Sequence, residues 1–490
     1  MHKNILHYVI ILLIFGAGVL FILEIGTRLY IDRGGRENAG AKQSTEVSSV
    51  SPPKPEAASS SSPGRIMQEN LRHPLSVLLL QIIAILLAAR IAGAAFRKVG
   101  QPTVVGEMIA GIILGPSLLG MLFPEAMAFL FPPQSMDSLQ LLSQIGIIIF
   151  MFIVGTEVNI QHLRQHAHAA VLVSHAGIII PFFFGAAFSL LIYSYYAPSH
   201  ITFQAFALFM SVSMSITAFP VLARIIEERG ISKTHLGCIA ITCAAVDDVT
   251  AWCLLAAVIA IVKAGGLEGA VLTIILTLLF ISLMLFLVKP QAERIISKVI
   301  EQGTSARGLV AVSLATVFAS ALITEVIGIH ALFGAFLAGL MMPAHPRLRP
   351  LLTERLEILT ASFLLPLYFA FTGLRTQIGL LNDWSSWLMC AGIVMIAIAG
   401  KLGGCALAAY WTGMNWRHSL TLGVLMNTRG LIELIVLNIG YDLGILTPRI
   451  YSMMVLMALV TTFMTGPLLS LMKSLKQRET VLMGGADVAA

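Results

Sequence analysis

The stretch CAAVDDVTAW, from Cys243 to Trp252, places two adjacent aspartates inside an apolar run that extends roughly from Leu236 to Val262. A transmembrane helix needs about 20 consecutive apolar residues, so this run is long enough to cross a lipid bilayer. A charged side chain at the centre of such a helix costs at least ~2.5–3.5 kcal/mol. Two carboxylates in this position therefore call for an explanation that covers both the fold and the function.

The composition of the whole chain indicates a membrane protein. Of its 490 residues, 57% are hydrophobic and 11% are charged, and the mean hydropathy is +0.88. Soluble domains carry about 25% charged residues. The net charge of +6 comes without a basic block interleaved with aromatic residues, so nucleic acid is not an expected partner. The five cysteines lie in apolar segments without metal-ligand spacing, so we expect buried, reduced thiols and no cofactor.

The pattern along the chain predicts four parts. Residues 1–27 resemble the apolar core of a signal peptide but lack a small-x-small cleavage site, which favours an uncleaved membrane anchor. Residues 28–73 are rich in Ser, Pro, Ala and charge, which is typical of a flexible linker. Residues 74–473 form the transmembrane domain, and residues 474–490 form a short tail. Because only helices and closed barrels satisfy their backbone in lipid, the expected fold is all-α.

The transmembrane domain divides into thirteen apolar segments separated by short polar joints. They begin near residues 74, 103, 138, 168, 201, 233, 267, 304, 329, 356, 385, 417 and 449. Seventeen Lys and Arg residues lie in the tail and in the joints that follow odd-numbered segments, against three in the joints that follow even-numbered segments. By the positive-inside rule, the side with more Lys and Arg, and with it the carboxyl terminus, is cytoplasmic.

Two stretches of the domain repeat. The second segment reads VVGEMIAGIILGP and the ninth reads ALFGAFLAGLMMP, which aligns Gly106 with Gly334 and Gly111 with Gly339. The next pair continues the match, because FMFIVGTEV ends the third segment and LYFAFTGLRT ends the tenth. Segments seven apart enter the membrane in opposite directions, so the pattern predicts an inverted repeat, a transporter architecture. The alternative is unrelated Gly-rich helix packing.

Two segments carry signs of a broken helix. The fifth reads SVSMSITAFPVLARII, in which Pro220 removes a backbone donor and Ser215 and Thr217 can bond freed carbonyl groups. The twelfth reads GVLMNTRGLIELIVLNIG, with Asn427 and Arg429 inside an apolar run. These are corresponding positions of the two halves. Broken helices that cross leave dipole ends and free carbonyl groups face to face, where they can coordinate a cation.

The charges predicted deep in the membrane are Asp247, Asp248, Lys401, Arg429 and Glu433. Arg429 and Glu433 are four residues apart on one helix, so an ion pair between them is the favoured interpretation. Adjacent residues on a helix point about 100° apart, so one partner cannot easily neutralise both aspartates. A buried lysine needs a carboxylate partner. The pattern therefore favours a cation or proton site with a lysine switch over two purely structural carboxylates.

At this point the sequence resembles a known family. SITAFPVLARII, CAAVDDVTAW, IHALFGAFLAG, PLYFAFTGLRT and LMNTRGLIELIVLNIG are similar to motifs of the monovalent cation:proton antiporter superfamily, in its second branch, which includes plant cation/proton exchangers and bacterial Na⁺/H⁺ or K⁺/H⁺ antiporters. The resemblance covers about residues 74–471. It implies a thirteen-helix inverted-repeat fold with two crossed broken helices, to which this chain adds one amino-terminal anchor helix.

The resemblance also implies roles. Asp248 would bind a cation (Na⁺ or K⁺) or a proton in competition, and Asp247 would form a breakable salt bridge with Lys401. Ser215 and Thr217 match the break of the first crossed helix, and Asn427 and Arg429 match that of the second; Glu433 follows on the same helix. The family is homodimeric, with a dimerisation domain and a mobile core. For this chain the expected location is a bacterial inner membrane.

Two other classes of transport protein remain as alternatives. A cation channel would tolerate the same carboxylates, but a pore usually needs rings of like residues from several subunits. An organic-anion carrier of related inverted-repeat fold would need an excess of positively charged side chains at the membrane midplane. The aspartate pair and the lack of such an excess disfavour this alternative. An enzyme is not expected, because no catalytic or phosphate-binding constellation stands out in the joints.

Overall fold

The computed structural model describes residues 2–37, 70, 73–157, 167–231, 234–263, 267–294, 306–343 and 348–486. Every regular element in these ranges is helical. The first helices are α1 (His2–Glu37), α2 (Pro74–Lys98), α3 (Thr103–Leu114), α4 (Pro133–Glu157), α5 (Ala167–Tyr196), α6 (Phe203–Ser215), α7 (Phe219–Glu228) and α8 (His235–Lys263). Two short helices, Leu119–Leu122 and Pro124–Leu130, lie between α3 and α4.

The second half continues in the same way. It contains α9 (Leu267–Leu283), α10 (Ala306–Ile327), α11 (Ala331–Leu340), α12 (Leu348–Leu359 and Leu365–Arg375), α13 (Trp384–Ile398 and Gly404–Trp411), α14 (Trp416–Met426), α15 (Leu431–Asp442) and α16 (Pro448–Ala486). A π-helical turn follows α9 at Met284–Val288. Two more join the halves of α12, at Thr360–Leu364, and of α13, at Ala399–Gly403.

Eleven helices of the described part are long and apolar enough to cross a membrane. One is α1, so ten belong to the thirteen predicted segments. The other three segments, predicted to begin near residues 201, 329 and 417, contain shorter or interrupted helices. The multi-pass membrane fold is therefore confirmed, whereas the number of thirteen crossings stays a prediction.

Two helices extend past the boundaries of the predicted parts, and the division into four parts stays a prediction. Helix α1 continues from the predicted anchor to Glu37, and an exposed ion pair joins Glu24 and Arg28 within it, four residues apart. Helix α16 likewise continues from the transmembrane domain to Ala486, within the predicted tail of residues 474–490. The linker residues 38–69 lie outside the described part of the chain.

The helices form two bundles joined by α9. The first bundle contains α2, α3, α4, α10, α11 and α12, and the second, which we call the site bundle, contains α5–α8 and α13–α16. Each has a small apolar cluster of its own: Ile85, Leu139 and Leu367 belong to the first, and Leu222, Ala244 and Leu425 to the site bundle, while a larger apolar cluster is shared by both bundles. Helix α9 contacts α8 on one side and α10 on the other.

Glycine contacts in the first bundle follow the repeat in the sequence. A Cβ added to Gly111 would collide with the carbonyl of Ala370 in α12, and one added to Gly339 would collide with the carbonyl of Phe152 in α4. The sequence repeat that aligns these two glycines makes α3 correspond to α11 and α12 correspond to α4. The contact between α3 and α12 therefore corresponds to the contact between α11 and α4. Close backbone approach at small residues replaces hydrophobic driving force inside a membrane.

Candidate ion-binding site

The site lies where two interrupted helices meet. Helix α6 ends at Ser215 and α7 begins at Phe219, while α14 ends at Met426 and α15 begins at Leu431. The two breaks bond each other: the Ala218 N–H donates to the Thr428 carbonyl at 3.2 Å. The Thr217 hydroxyl donates to the carbonyl of Met426 at 3.0 Å. Backbone groups freed by one break are thus satisfied by the other, as lipid requires.

Asp247 is fully buried and fully engaged. Its Oδ2 accepts from Lys401 Nζ at 2.9 Å and from the backbone N–H of Thr217 at 2.8 Å. The hydroxyl of Ser174, on α5, lies 3.5 Å from its Oδ1. This carboxylate therefore ties α8 to α13, to the break after α6 and to α5 at once.

Lys401 projects from the π-helical turn of α13. Its ammonium donates both to Asp247 and to the carbonyl of Ser215, the last residue of α6. That carbonyl lies at the negative end of a helix dipole, so a cation is favoured there. A Cβ at Gly177 of α5 would collide with the sulfur of Cys405, so glycine lets α13 pack closely against α5 next to Lys401.

Asp248 has the opposite surroundings from Asp247. It is 1% exposed, and neither of its carboxylate oxygens has a hydrogen-bond partner among the described residues. Burying an ionised carboxylate without a partner is strongly unfavourable. In the part of the chain that the structure describes, Asp248 therefore has no ion-pair partner, although it is adjacent to Asp247.

Arg429 and Glu433 form a second buried ion pair at 3.1 Å. The Arg429 guanidinium also donates to the carbonyls of Ser213, at 3.1 Å, and Met214, at 2.6 Å, so it caps the last turn of α6 from the other broken segment. The backbone of Arg429 is held in turn by the Thr462 hydroxyl of α16. Arg429 therefore supports the crossing.

Ser215 and Asn427 contribute differently from what the sequence indicated. The Ser215 hydroxyl bonds the Ser211 carbonyl within its own helix, at 2.6 Å, while its backbone carbonyl serves Lys401. The amide nitrogen of Asn427 reaches the Met464 sulfur at 3.7 Å, and its Oδ1 has no partner in the described part of the chain. The hydroxyl of Thr428, which the sequence reasoning missed, is likewise buried without a partner.

A second polar network, which we call the rim network, lies where α12 ends. Arg375 pairs with Asp442 of α15 at 2.7 Å and donates to Gln140 of α4 at 2.8 Å and to Asn438 at 3.2 Å. Gln140 also donates to Asp442 at 3.2 Å. The network joins the first bundle to the site bundle, and it was not predicted because its members are far apart in the sequence.

Two broken helices that cross around buried charges, one of them unmatched, define a secondary transporter. The chain belongs to the sodium/hydrogen exchanger family, whose transmembrane model matches residues 83–473. It is 43% identical over 397 residues to the Na⁺/H⁺ antiporter NhaS4 of a Synechocystis strain, covering 81% of this chain and 97% of that one.

More distant relatives agree in class. The chain is 40% identical to cation/H⁺ antiporter 17 of Arabidopsis thaliana and 35% identical to K⁺/H⁺ antiporter 1 of Saccharomyces cerevisiae. It spans 48% and 47% of the length of these relatives, and the alignments cover 81% and 82% of this chain. The sodium proton antiporter MjNhaP1 of Methanocaldococcus jannaschii shares the fold, with a TM-score of 0.56 at 13% identity, over 81% of this chain and 98% of that one.

Proposed function

We propose that the chain exchanges a monovalent cation, Na⁺ or K⁺, for protons by alternating access, and that the cation and the proton compete for Asp248. Membership of the sodium/hydrogen exchanger family and the names of the relatives support cation:proton exchange. The observation that carries the mechanism is the buried Asp248 carboxylate, which has no hydrogen-bond partner among the described residues, beside an Asp247 carboxylate that accepts from Lys401 and Thr217.

The physical argument rests on neutralisation. A buried carboxylate without an ion-pair partner among the described residues is strongly destabilised while it is charged, so binding of a cation or a proton is favoured. One bound proton removes the negative charge that would hold the cation, so the two ligands exclude each other. Competition of this kind couples the cation flux to the proton flux. In alternating access, the site bundle would change from the state open to one side of the membrane to the state open to the other with a cation bound or with a proton bound, but not with both.

The remaining ligands of the cation would come from neutral oxygens. Asn427 Oδ1 and Thr428 Oγ1 lie at the second break, are buried, and have no partner among the described residues. Alkali cations are dehydrated by rings of carbonyl-type oxygens in protein filters. We include these two atoms with Asp248 in the proposed ligand set of the cation.

The ion pair of Asp247 with Lys401 supplies the switch in this proposal. When Lys401 leaves Asp247, a second carboxylate becomes free, and a second proton or the cation can bind there. The Ser215 carbonyl stays available to hold the ammonium in the meantime. The proposal also includes a homodimer in a bacterial inner membrane with a cytoplasmic carboxyl terminus, as the resemblance and the Lys and Arg distribution support.

Reconstitution in liposomes tests the exchange. Purified protein is sealed in vesicles with a pH-sensitive dye inside, and Na⁺ or K⁺ is added outside at several pH values. We expect proton movement with at least one cation, and a decrease to the background of empty vesicles in Asp248→Asn. The matched control is Asp383→Asn, the same change at an exposed carboxylate outside the membrane helices, which should transport like the wild type.

Cation flux in the wild type without coupled proton movement would contradict antiport and favour a channel. Antiport that survives in Asp248→Asn would remove Asp248 from the binding site. If an anion gradient alone drives the dye response, the organic-anion alternative takes the place of the proposal.

A further inference from the structure

Helix α1 is a part of the chain that the family match does not include, since that match begins at residue 83. One stripe of α1 faces the protein: Phe15, Gly18, Ile22, Gly26 and Tyr30, at spacings of three and four residues, which place them on one side of a helix. Ile22 is 7% exposed, whereas Leu20 is 70% and Phe21 64% exposed on the other side. Helix α1 is therefore packed on one face only.

The stripe contacts two helices of the site bundle, α5 and α6. The Phe15 ring meets Phe183 of α5 edge-on, with centroids 5.2 Å apart. A Cβ at Gly18 would lie 2.6 Å from the same Phe183 ring, and one at Gly26 would overlap the ring of Phe203 in α6. The two glycines thus form hollows that two aromatic rings fill.

Tyr30 completes the interface with a directed contact. Its hydroxyl donates to the Leu190 carbonyl of α5 at 2.9 Å, and its ring lies 4.8 Å from Tyr193 and 5.7 Å from Phe203. Inside lipid, interhelical hydrogen bonds and close packing hold helices together. An anchor that was merely dissolved in lipid would need neither.

The contacts also set the direction of α1. Going from Phe15 to Tyr30 along α1 corresponds to going from Phe183 to Tyr193 along α5, so the two helices run parallel. The amino end of α1 therefore lies on the side where α5 begins, which the distribution of Lys and Arg predicts to be cytoplasmic.

The helices that α1 covers are those that hold the site. Helix α5 carries Ser174, beside Asp247, and Gly177, beside Lys401; helix α6 ends at the Ser215 carbonyl that Lys401 binds. We propose that α1 is a retained accessory helix of the site bundle, bound to the face of α5 and α6, and that it moves with this bundle during transport. The second part of this proposal rests on the proposed function.

A cleavage experiment on the folded full chain tests the binding. A specific protease site is inserted between residues 45 and 65, the purified protein is cut, and gel filtration shows whether the α1 fragment stays with the rest. We expect retention in the wild type, and a decrease of roughly tenfold in the retained fraction in Gly26→Leu and Gly18→Leu, because overpacking disrupts both hollows.

The control variant is Gly16→Leu, on the same helix, where an added Cβ meets nothing within 4 Å. It should retain the fragment like the wild type. Should a glycine variant aggregate, Tyr30→Phe takes its place; it removes one hydroxyl at nearly constant volume and should reduce retention by a smaller factor. Loss of the fragment from the wild type, or equal retention in all variants, would overturn the proposal.

Cross-linking tests whether α1 moves with the site bundle. Phe15→Cys and Phe183→Cys are combined with serine at Cys238 and Cys253, the cysteines that are not buried, and joined by a short bifunctional thiol reagent in liposomes. Transport should stay within about twofold of the unlinked protein. Transport that stops only after linking would contradict the shared motion, whereas absent antiport before linking would contradict the proposed function and leave the cleavage result standing.

Discussion

The crossing site and the rim network solve the problem of buried charge in different ways. In the rim network, one arginine faces one aspartate, and the amides of Gln140 and Asn438 complete the hydrogen bonds of both. At the crossing, three carboxylates face two cations: Asp247 pairs with Lys401, and Glu433 pairs with Arg429. Asp248 is left over.

This difference distinguishes charged networks that stabilise helix packing in a membrane from those that bind a transported ion. A balanced network can hold helices together and needs no ligand, as the rim network does between α12 and α15. A network that lacks one positive charge is complete only when a cation or proton arrives. The charge count, rather than the number of ion pairs, therefore identifies the transport site.

The largest effect is expected from Lys401→Met. It leaves Asp247 and Asp248 both without a cation, and removing one partner of a buried ion pair costs about 3–5 kcal/mol. We expect a large decrease in the thermal stability of the detergent-solubilised protein, measured by tryptophan fluorescence. We also expect loss of antiport in liposomes.

The double variant Lys401→Met with Asp247→Asn sharpens this prediction. The double variant removes both charges of the Asp247–Lys401 pair, so Asp248 is again the one carboxylate without a counter-ion at the crossing. Most of the lost thermal stability should therefore return, while antiport stays impaired. A double variant as unstable as Lys401→Met alone would show that packing around the lysine, rather than its charge, stabilises the crossing.

A smaller effect is expected from Asp442→Asn in the rim network. Arg375 keeps its bonds to Gln140 and Asn438 and its position 4.4 Å above the Phe371 ring. Asp442 is one-third exposed, so water takes part of its role. We expect a stability loss of about 1–3 kcal/mol and continued antiport, measured by unfolding and in liposomes. A complete loss of antiport would give the rim network a role in transport and break the comparison.

The smallest effect is expected at Asp383, an exposed carboxylate before α13. Its oxygens accept from the Ser386 hydroxyl at 2.7 Å and from the Ser386 N–H at 3.0 Å. The Ser386 hydroxyl, together with its N–H and the charge of Arg449, lowers the pKa of Asp383. A lowered pKa means that the carboxylate stabilises the fold above its unfolded value of about 4 and loses this contribution as the pH falls through the folded value.

Asp383→Asn tests this sign. The wild type should melt slightly above the variant at pH 7, and the difference should shrink as the pH falls below about 4. A difference that grows on acidification would mean that the protonated form is the stabilising one.

Particular elements show how far the sequence alone leads. The apolar length of residues 236–262 predicted α8, and the Ser, Pro and Asn signals predicted both breaks, because these depend on a few neighbouring residues and on lipid as the solvent. The π-helical turn that carries Lys401 was not predicted. Nothing in AGKLG marks it, and π turns arise where a helix adapts to its neighbours.

The sequence by itself determined that this protein crosses the membrane many times as helices, which buried charges it contains and where two helices break. These follow from local apolar length and from the cost of free backbone groups in lipid. The Arg429–Glu433 pair also follows from helical spacing, but only the tertiary structure brings Lys401 to Asp247, leaves Asp248 without a partner among the described residues, and places α1 against α5 and α6. Lys401 lies 154 residues from Asp247 and Arg375 lies 235 residues from Gln140, and only packing brings side chains so distant in the chain together.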